Sequence, residues 1–260
     1  MTALLITGCA VLGLAVGSFL NVVIWRVPRD ESVVSPPSAC PQCGHALRPR
    51  DNVPVLSWLL LRGRCRDCAA PVSARYPLVE AGTAVLFAAT AAWFGPSWEL
   101  PAFLYRAAIT VALALIDLDV HRLPDKIVLP SYLVGGVLLA GASLLNGDPG
   151  QILRAAIGLA ALWLLYFLLA LIYPGGMGFG DVKLAGVLGM YLAWLGWAEL
   201  LVGGFLGFVL GGVVGAALMA FKRAGRKSKI PFGPFMLAGA YAGIVLGQPI
   251  AGWYLGTLGL

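Results

Sequence analysis

The sequence predicts an all-α polytopic membrane protein of about eight transmembrane helices, with a small cysteine-rich, zinc-knuckle loop domain on the cytoplasmic side. Three observations lead there. Of the 260 residues, 60% are apolar and only 12% charged, too little charge for a water-soluble globule with this many apolar runs. The apolar residues fall into blocks of spanning length separated by short connections. Four of the five cysteines lie together, as two CxxC pairs, inside the one long polar stretch.

Ala3–Trp25 is uninterrupted by charge and, at about 35 Å as a helix, long enough to span. Ile6-Thr7-Gly8-Cys9 is similar to a lipoprotein cleavage box, but nothing basic precedes it and the apolar run continues past it. The segment therefore reads as an uncleaved first span, with Cys9 a small core residue. The further spans are expected at Tyr76–Phe94, Pro101–Ile116, Ile127–Leu145, Ile152–Tyr173, Val182–Trp197, Leu200–Phe221 and Phe232–Leu258. Asp119 and Asp125 then belong to the loop after the third span, and residues 197–199 to a connection. Gly203, Gly207, Gly211 and Gly215, and later Gly239, Gly243 and Gly247, recur every four residues, a pattern that lets helices approach closely. Three parts follow: residues 1–25 as first span, 26–75 as the four-cysteine domain, and 76–260 as a seven-helix membrane domain.

Orientation comes from the basic residues. The formal net charge is +6; eight of the 18 Lys and Arg lie between Arg26 and Arg75, and five more between Lys222 and Lys229. Arg122, Lys126 and Lys183 mark two further connections on the same side, whereas only Arg106 and Arg154 lie near the alternate set. By the positive-inside rule the basic loops are cytoplasmic and both termini outside. Orientation accounts for the basic clusters, so no nucleic-acid partner is expected.

Cys40-Pro-Gln-Cys43 and Cys65-Arg-Asp-Cys68 are separated by 21 residues. Two such knuckles supply four thiolates for a tetrahedral zinc site, with a slightly long intervening segment. Disulfides are the alternative, and a reducing compartment disfavours them. His45 is a bystander, because four sulfurs fill the shell.

The stretch Gly175–Lys183, GGMGFGDVK, joins two apolar runs and carries one carboxylate, Asp181. Asp117 ends another apolar run. Ionisable groups at the margin of a hydrocarbon span are costly and mark function. Two of them are the minimum for acid–base peptide hydrolysis without a metal. The glycines, Gly178 and Gly180 among them, permit positive φ and close backbone approach around Asp181. Asp181 also reads as a cap of the following helix. Asp119 and Asp125 compete with Asp117 as the first member of the pair.

Several stretches together resemble the bacterial prepilin peptidase family. They are GSFLNVVIWRVP (Gly17–Pro28), the paired knuckles, SARYPLVE (Ser73–Glu80), Ile116-Asp117 with Leu123-Pro124-Asp125, GMGFGD (Gly176–Asp181) and PFGPF (Pro231–Phe235). The resemblance implies an inner-membrane aspartyl protease of the GxGD type with Asp117 and Asp181 as catalytic pair. It implies that prepilins and pseudopilins of type IV pilus or type II secretion systems lose a basic leader at the cytoplasmic face. It further implies N-methylation of the new terminus by S-adenosylmethionine, a property of relatives with a cysteine-bearing loop. A peptidase without methylation is the alternative within the family, and a proton- or cation-coupled transporter the alternative outside it. No nucleotide fingerprint locates the methyl donor; Gly63 and Arg64 are its candidates, with ordinary knuckle-turn chemistry as the competing account. The acidic Asp30, Glu31, Asp51 and Asp67 are the expected contacts for a basic leader.

Overall fold

The computed structural model describes residues 2–173, 177–221 and 230–257. Gly175, Gly176 and the basic run from Lys222 to Lys229 lie outside the described residues, as does Leu258. Among those described, the regular elements are helices: α1 (Thr2–Arg26), α2 (Leu56–Leu60), α3 (Arg75–Phe94), α4 (Leu100–Val120), α5 (Asp125–Leu145), α6 (Gly150–Ile172), α7 (Phe179–Leu195), α8 (Trp197–Ala220) and α9 (Gly233–Thr257). Six of them, α1, α3, α5, α6, α8 and α9, are long and apolar enough to cross a membrane. Helices α4 and α7 occupy the positions of the third and sixth predicted spans.

Three boundaries correct the sequence reading. Helix α4 does not stop at Asp117 but runs on through Asp119 to Val120, since one more turn adds backbone hydrogen bonds that a single carboxylate does not outweigh. Asp125 is likewise no loop residue. It opens α5 directly after Pro124, where a carboxylate complements the helix dipole. Residues 197–199 form the first turn of α8, and Gly196 alone breaks the chain between α7 and α8.

The chain divides into two compact units, Met1–Ala112 and Leu113–Leu260. In the first, α1 and α3 are held in close contact by glycine. A Cβ on Gly13 would lie 2.7 Å from Ala84 Cα, and one on Gly17 2.7 Å from Glu80 Cα. Cys9 is buried among Phe87, Ala91, Leu100 and Ala107, which fits its reading as a core residue.

In the second unit α7 is the central helix, with buried residues on every side from Asp181 to Trp194. A helix apolar all round has no solvent face to present and is buried by its neighbours. It meets α6 where a Cβ on Gly158 would lie 2.6 Å from the Gly189 carbonyl. Arg154 of α6 closes its far end, donating from Nε to the Ala193 carbonyl and from an Nη to that of Trp194, each at 2.7 Å. A cation on the last carbonyls of a helix satisfies both their lone pairs and the dipole. Helices α8 and α9 cross through the two glycine stripes. A Cβ on Gly239 would lie 2.6 Å from Gly207 Cα, and Gly247 abuts Glu199.

Candidate active site

Asp117 and Asp181 both belong to the second unit, and both are buried. Each is held through Oδ2 by one main-chain amide. Gly178 N–H donates to Asp181 at 3.0 Å, and Gly233 N–H donates to Asp117 at 2.9 Å. The glycines beside them, Gly180 next to Asp181 and Gly233 on Asp117, both pack against Leu123. Among the three aspartates that competed from sequence, Asp119 and Asp125 are exposed. Asp125 is also paired with Lys183 Nζ, at 2.7 and 2.8 Å. Of the three, only Asp117 is buried, as Asp181 is.

The local reasons differ for the two carboxylates. Asp181 is the third residue of α7 and reaches back to the amide of the residue before the helix, so the capping reading is correct as geometry. Capping engages Oδ2 and leaves Oδ1 for chemistry. Asp117 lies three residues from the end of α4, where the dipole disfavours a carboxylate. The N-terminus of α9 offsets this by aiming the amide of its first residue at Oδ2. That residue, Gly233, sits in the PFGPF motif, and the sequence assigned it no role. A Cβ there would lie 2.7 Å from Asp117 Oδ2, so glycine is what allows the contact.

Leu123 ties the pieces together: a Cβ on Gly180 would lie 3.0 Å from its Cβ, and one on Gly233 3.2 Å from its Cδ2. The requirement for glycine at 178 and 180 is thus close approach rather than positive φ. Gly178 has φ −78°, and a Cβ on it would lie 3.3 Å from Asp181 Oδ2. Phe232, the residue before Gly233, joins Tyr166, Phe208 and Phe235 in an aromatic cluster, with Tyr166 and Phe208 ring centroids 5.0 Å apart.

In the first unit the four cysteine sulfurs of Cys40, Cys43, Cys65 and Cys68 lie within 4.8 Å of one another. A zinc ion with four thiolates at about 2.3 Å requires sulfurs about 3.8 Å apart. Cys40 and Cys68 are at 3.8 Å, and Cys43 and Cys65 at 4.0 Å, so the donor set fits such an ion. His45 contributes main-chain groups to the cluster, its carbonyl accepting from Cys40 N–H and its amide facing the Cys43 thiol. The knuckles share one construction. Cys40 N–H donates to the His45 carbonyl and Cys65 N–H to that of Ala70; Gly44 N–H and Ala69 N–H return to Cys40 and Cys65. Amides of Cys43 and Gln42 draw the Cys40 thiol down to about 6. The Ala70 amide acts the same way on Cys68, but burial and the neighbouring thiols outweigh it and push that thiol to about 12.

Gly63 has φ +66°, donates to the Trp58 carbonyl and accepts from Val72 N–H. Turn geometry accounts for it, and neighbouring Arg64 is exposed. Two of the acidic residues expected to contact a leader are already engaged: Asp51 with Arg66 at 2.6 Å and Asp67 with Arg48 at 2.8 Å.

Residues 11–94 match the Bacterial Peptidase A24 N-terminal domain, and residues 104–216 the Type IV leader peptidase family. A prepilin leader peptidase/N-methyltransferase of Aeromonas hydrophila is 40% identical over 269 residues, covering 93% of this chain and 91% of the relative. The chain belongs to the prepilin leader peptidase/N-methyltransferase family. Relatives of the same name in Stutzerimonas stutzeri and Pseudomonas aeruginosa are 37% and 35% identical, covering 95% and 94% of this chain and 93% and 91% of their own. No solved structure matches. Family membership makes this an enzyme of that general class. The two matched regions divide between α3 and α4, so the cysteine cluster falls in the first and both aspartates in the second.

Proposed function

We propose that this chain is an aspartyl endopeptidase of the bacterial inner membrane that removes the basic leader from prepilins and pseudopilins. Asp117 and Asp181 are its catalytic pair. The observation that carries this reading is the matched environment of the two carboxylates: both buried, each with Oδ2 on a fixed amide. Two such groups do not both ionise cheaply and share one proton. The ionised member takes a proton from water as the water attacks the scissile carbonyl. The protonated member donates to that carbonyl's oxygen, and the proton taken from water passes to the departing amine. Gly180 lets α7 come close to Leu123, and Gly178 leaves room for Asp181 Oδ2 against its amide.

In the same reading α4 and α7 complete eight spans, with both termini outside and the aspartates and the four-cysteine loop cytoplasmic. Residues 26–75 then carry N-methylation of the new terminus by S-adenosylmethionine, and residues 76–260 carry the peptidase. Zinc on Cys40, Cys43, Cys65 and Cys68 supplies folding energy to a segment with little core of its own. The methyl donor is assigned to that segment as a whole, because turn geometry already accounts for Gly63.

The test is incubation of the purified chain with a prepilin, with and without S-adenosylmethionine, reading product masses. Asp117→Asn and Asp181→Asn each remove leader cleavage, since losing one member of a catalytic unit costs nearly all activity. Asp119→Asn and Asp125→Asn retain it. Full cleavage by either variant of the pair overturns the mechanism. Leader loss without a methylated product leaves the peptidase and removes the second activity.

A further inference from the structure

We propose that α2 is an interfacial anchor: its leucine face lies in the headgroup–acyl boundary of an anionic bilayer and holds the four-cysteine segment against the membrane surface. Leu56, Leu59 and Leu60 are 52%, 57% and 73% exposed. Their spacing of three and four residues puts them on one face of the helix. The opposite side is committed inward. Ser57 is buried, and Trp58 Nε1 donates to the Val72 carbonyl at 3.0 Å. The exposed face is thus an apolar patch on a folded unit, not the residue of an unformed helix.

The depth of α2 identifies what covers the patch. Val55 N–H, immediately before the helix, donates to Glu80 Oε2 at 2.7 Å. Glu80 is the sixth residue of α3, about 8 Å along the axis from its start. Because α3 is a membrane-crossing helix by length and composition, α2 begins level with the outermost turns of a span. Tyr76, one turn before Glu80 on the same side of α3, is exposed as well. Arg50, Arg62 and Arg64 flank α2 on both sides in sequence and are exposed. Leucines on a short helix with guanidinium groups around them suit a surface that is apolar below and phosphate-bearing above. The anionic character of the leaflet rests on the cytoplasmic orientation proposed above; insertion of the leucines does not.

The experiment uses the full chain in nanodiscs of phosphatidylcholine, with and without phosphatidylglycerol. An environment-sensitive fluorescent amino acid is encoded at position 60 and, as a control, at the exposed position 45. Lipids carrying a spin-label quencher near the top of the acyl chain report depth. Expected are blue-shifted emission and several-fold quenching at 60, stronger with phosphatidylglycerol, and neither at 45. Water-like emission at both positions overturns the anchor. So does a change at 60 that arises only on adding a prepilin peptide, which marks a peptide-binding surface instead. Equal quenching with and without phosphatidylglycerol overturns the role of the arginines. None of these readings depends on catalysis, so the anchor and the peptidase assignment fail separately.

Discussion

Gly233 donates its main-chain N–H to Oδ2 of Asp117 at 2.9 Å, across 116 residues of sequence. The contact brings the positive end of α9 to a carboxylate that its own helix disfavours. A Cβ at 233 would meet the same oxygen at 2.7 Å. Gly233→Ala is therefore expected to displace Asp117 and lower leader cleavage by about one to two orders of magnitude, the scale of a 1 Å misplacement at a reacting group. Gly212→Ala, at a position with nothing within 4 Å, is expected to keep wild-type rates. Single-turnover cleavage of a prepilin by both variants checks this.

Helix α7 reaches its place only because α6 lets it approach at Gly158. Gly158→Val would drive a side chain into Ala193 and the Gly189 carbonyl. Overpacking of this kind costs about 1–3 kcal/mol. The expected outcome is a lower thermal midpoint in detergent, accompanied by lost cleavage as Asp181 moves with its helix. Gly141→Ala, on an open helix surface, should leave the midpoint unchanged or raise it slightly.

Zinc binding by the four-cysteine segment should strengthen with pH. The Cys40 thiol, near 6, is already a thiolate at neutral pH, whereas that of Cys68, near 12, is protonated. Loading the ion expels at least the Cys68 proton, so affinity rises about tenfold per pH unit for each proton lost. Conversely, acidification returns protons to the sulfurs and releases the ion. Competition against a chromophoric chelator at pH 6, 7 and 8 measures the slope; a pH-independent affinity contradicts thiolate ligation.

The two knuckles differ at one matched position. Gly44 has φ +73° and Ala69 φ +57° in the same turn. The left-handed conformation costs a residue with a Cβ about 1 kcal/mol. Gly44→Ala should destabilise the first knuckle by about that amount, since no neighbour lies within 4 Å of a Cβ there to add a clash. Ala69→Gly should stabilise the second by a similar or smaller amount. Retention of metal during thermal unfolding ranks the variants.

Sequence alone determined the class of the fold, the order of its helices and the four cysteines of the cluster. These depend on short-range facts: the length of apolar runs, the placement of charge and the spacing within each CxxC pair. It narrowed one carboxylate to Asp181 and left Asp117 among three. Tertiary structure separated those three, because burial depends on which helices pack around a residue. Asp117 and Asp119 are two positions apart on one helix, and only Asp117 turns inward. The cost of holding a buried carboxylate near a helix end is offset by an amide that arrives from α9, and no local pattern encodes that arrival. Glycine spacing told that two helices are closely approached, but that the stripes of α8 and α9 face each other, and that α6 meets α7 at Gly158 and Gly189, follows from where backbones meet in space.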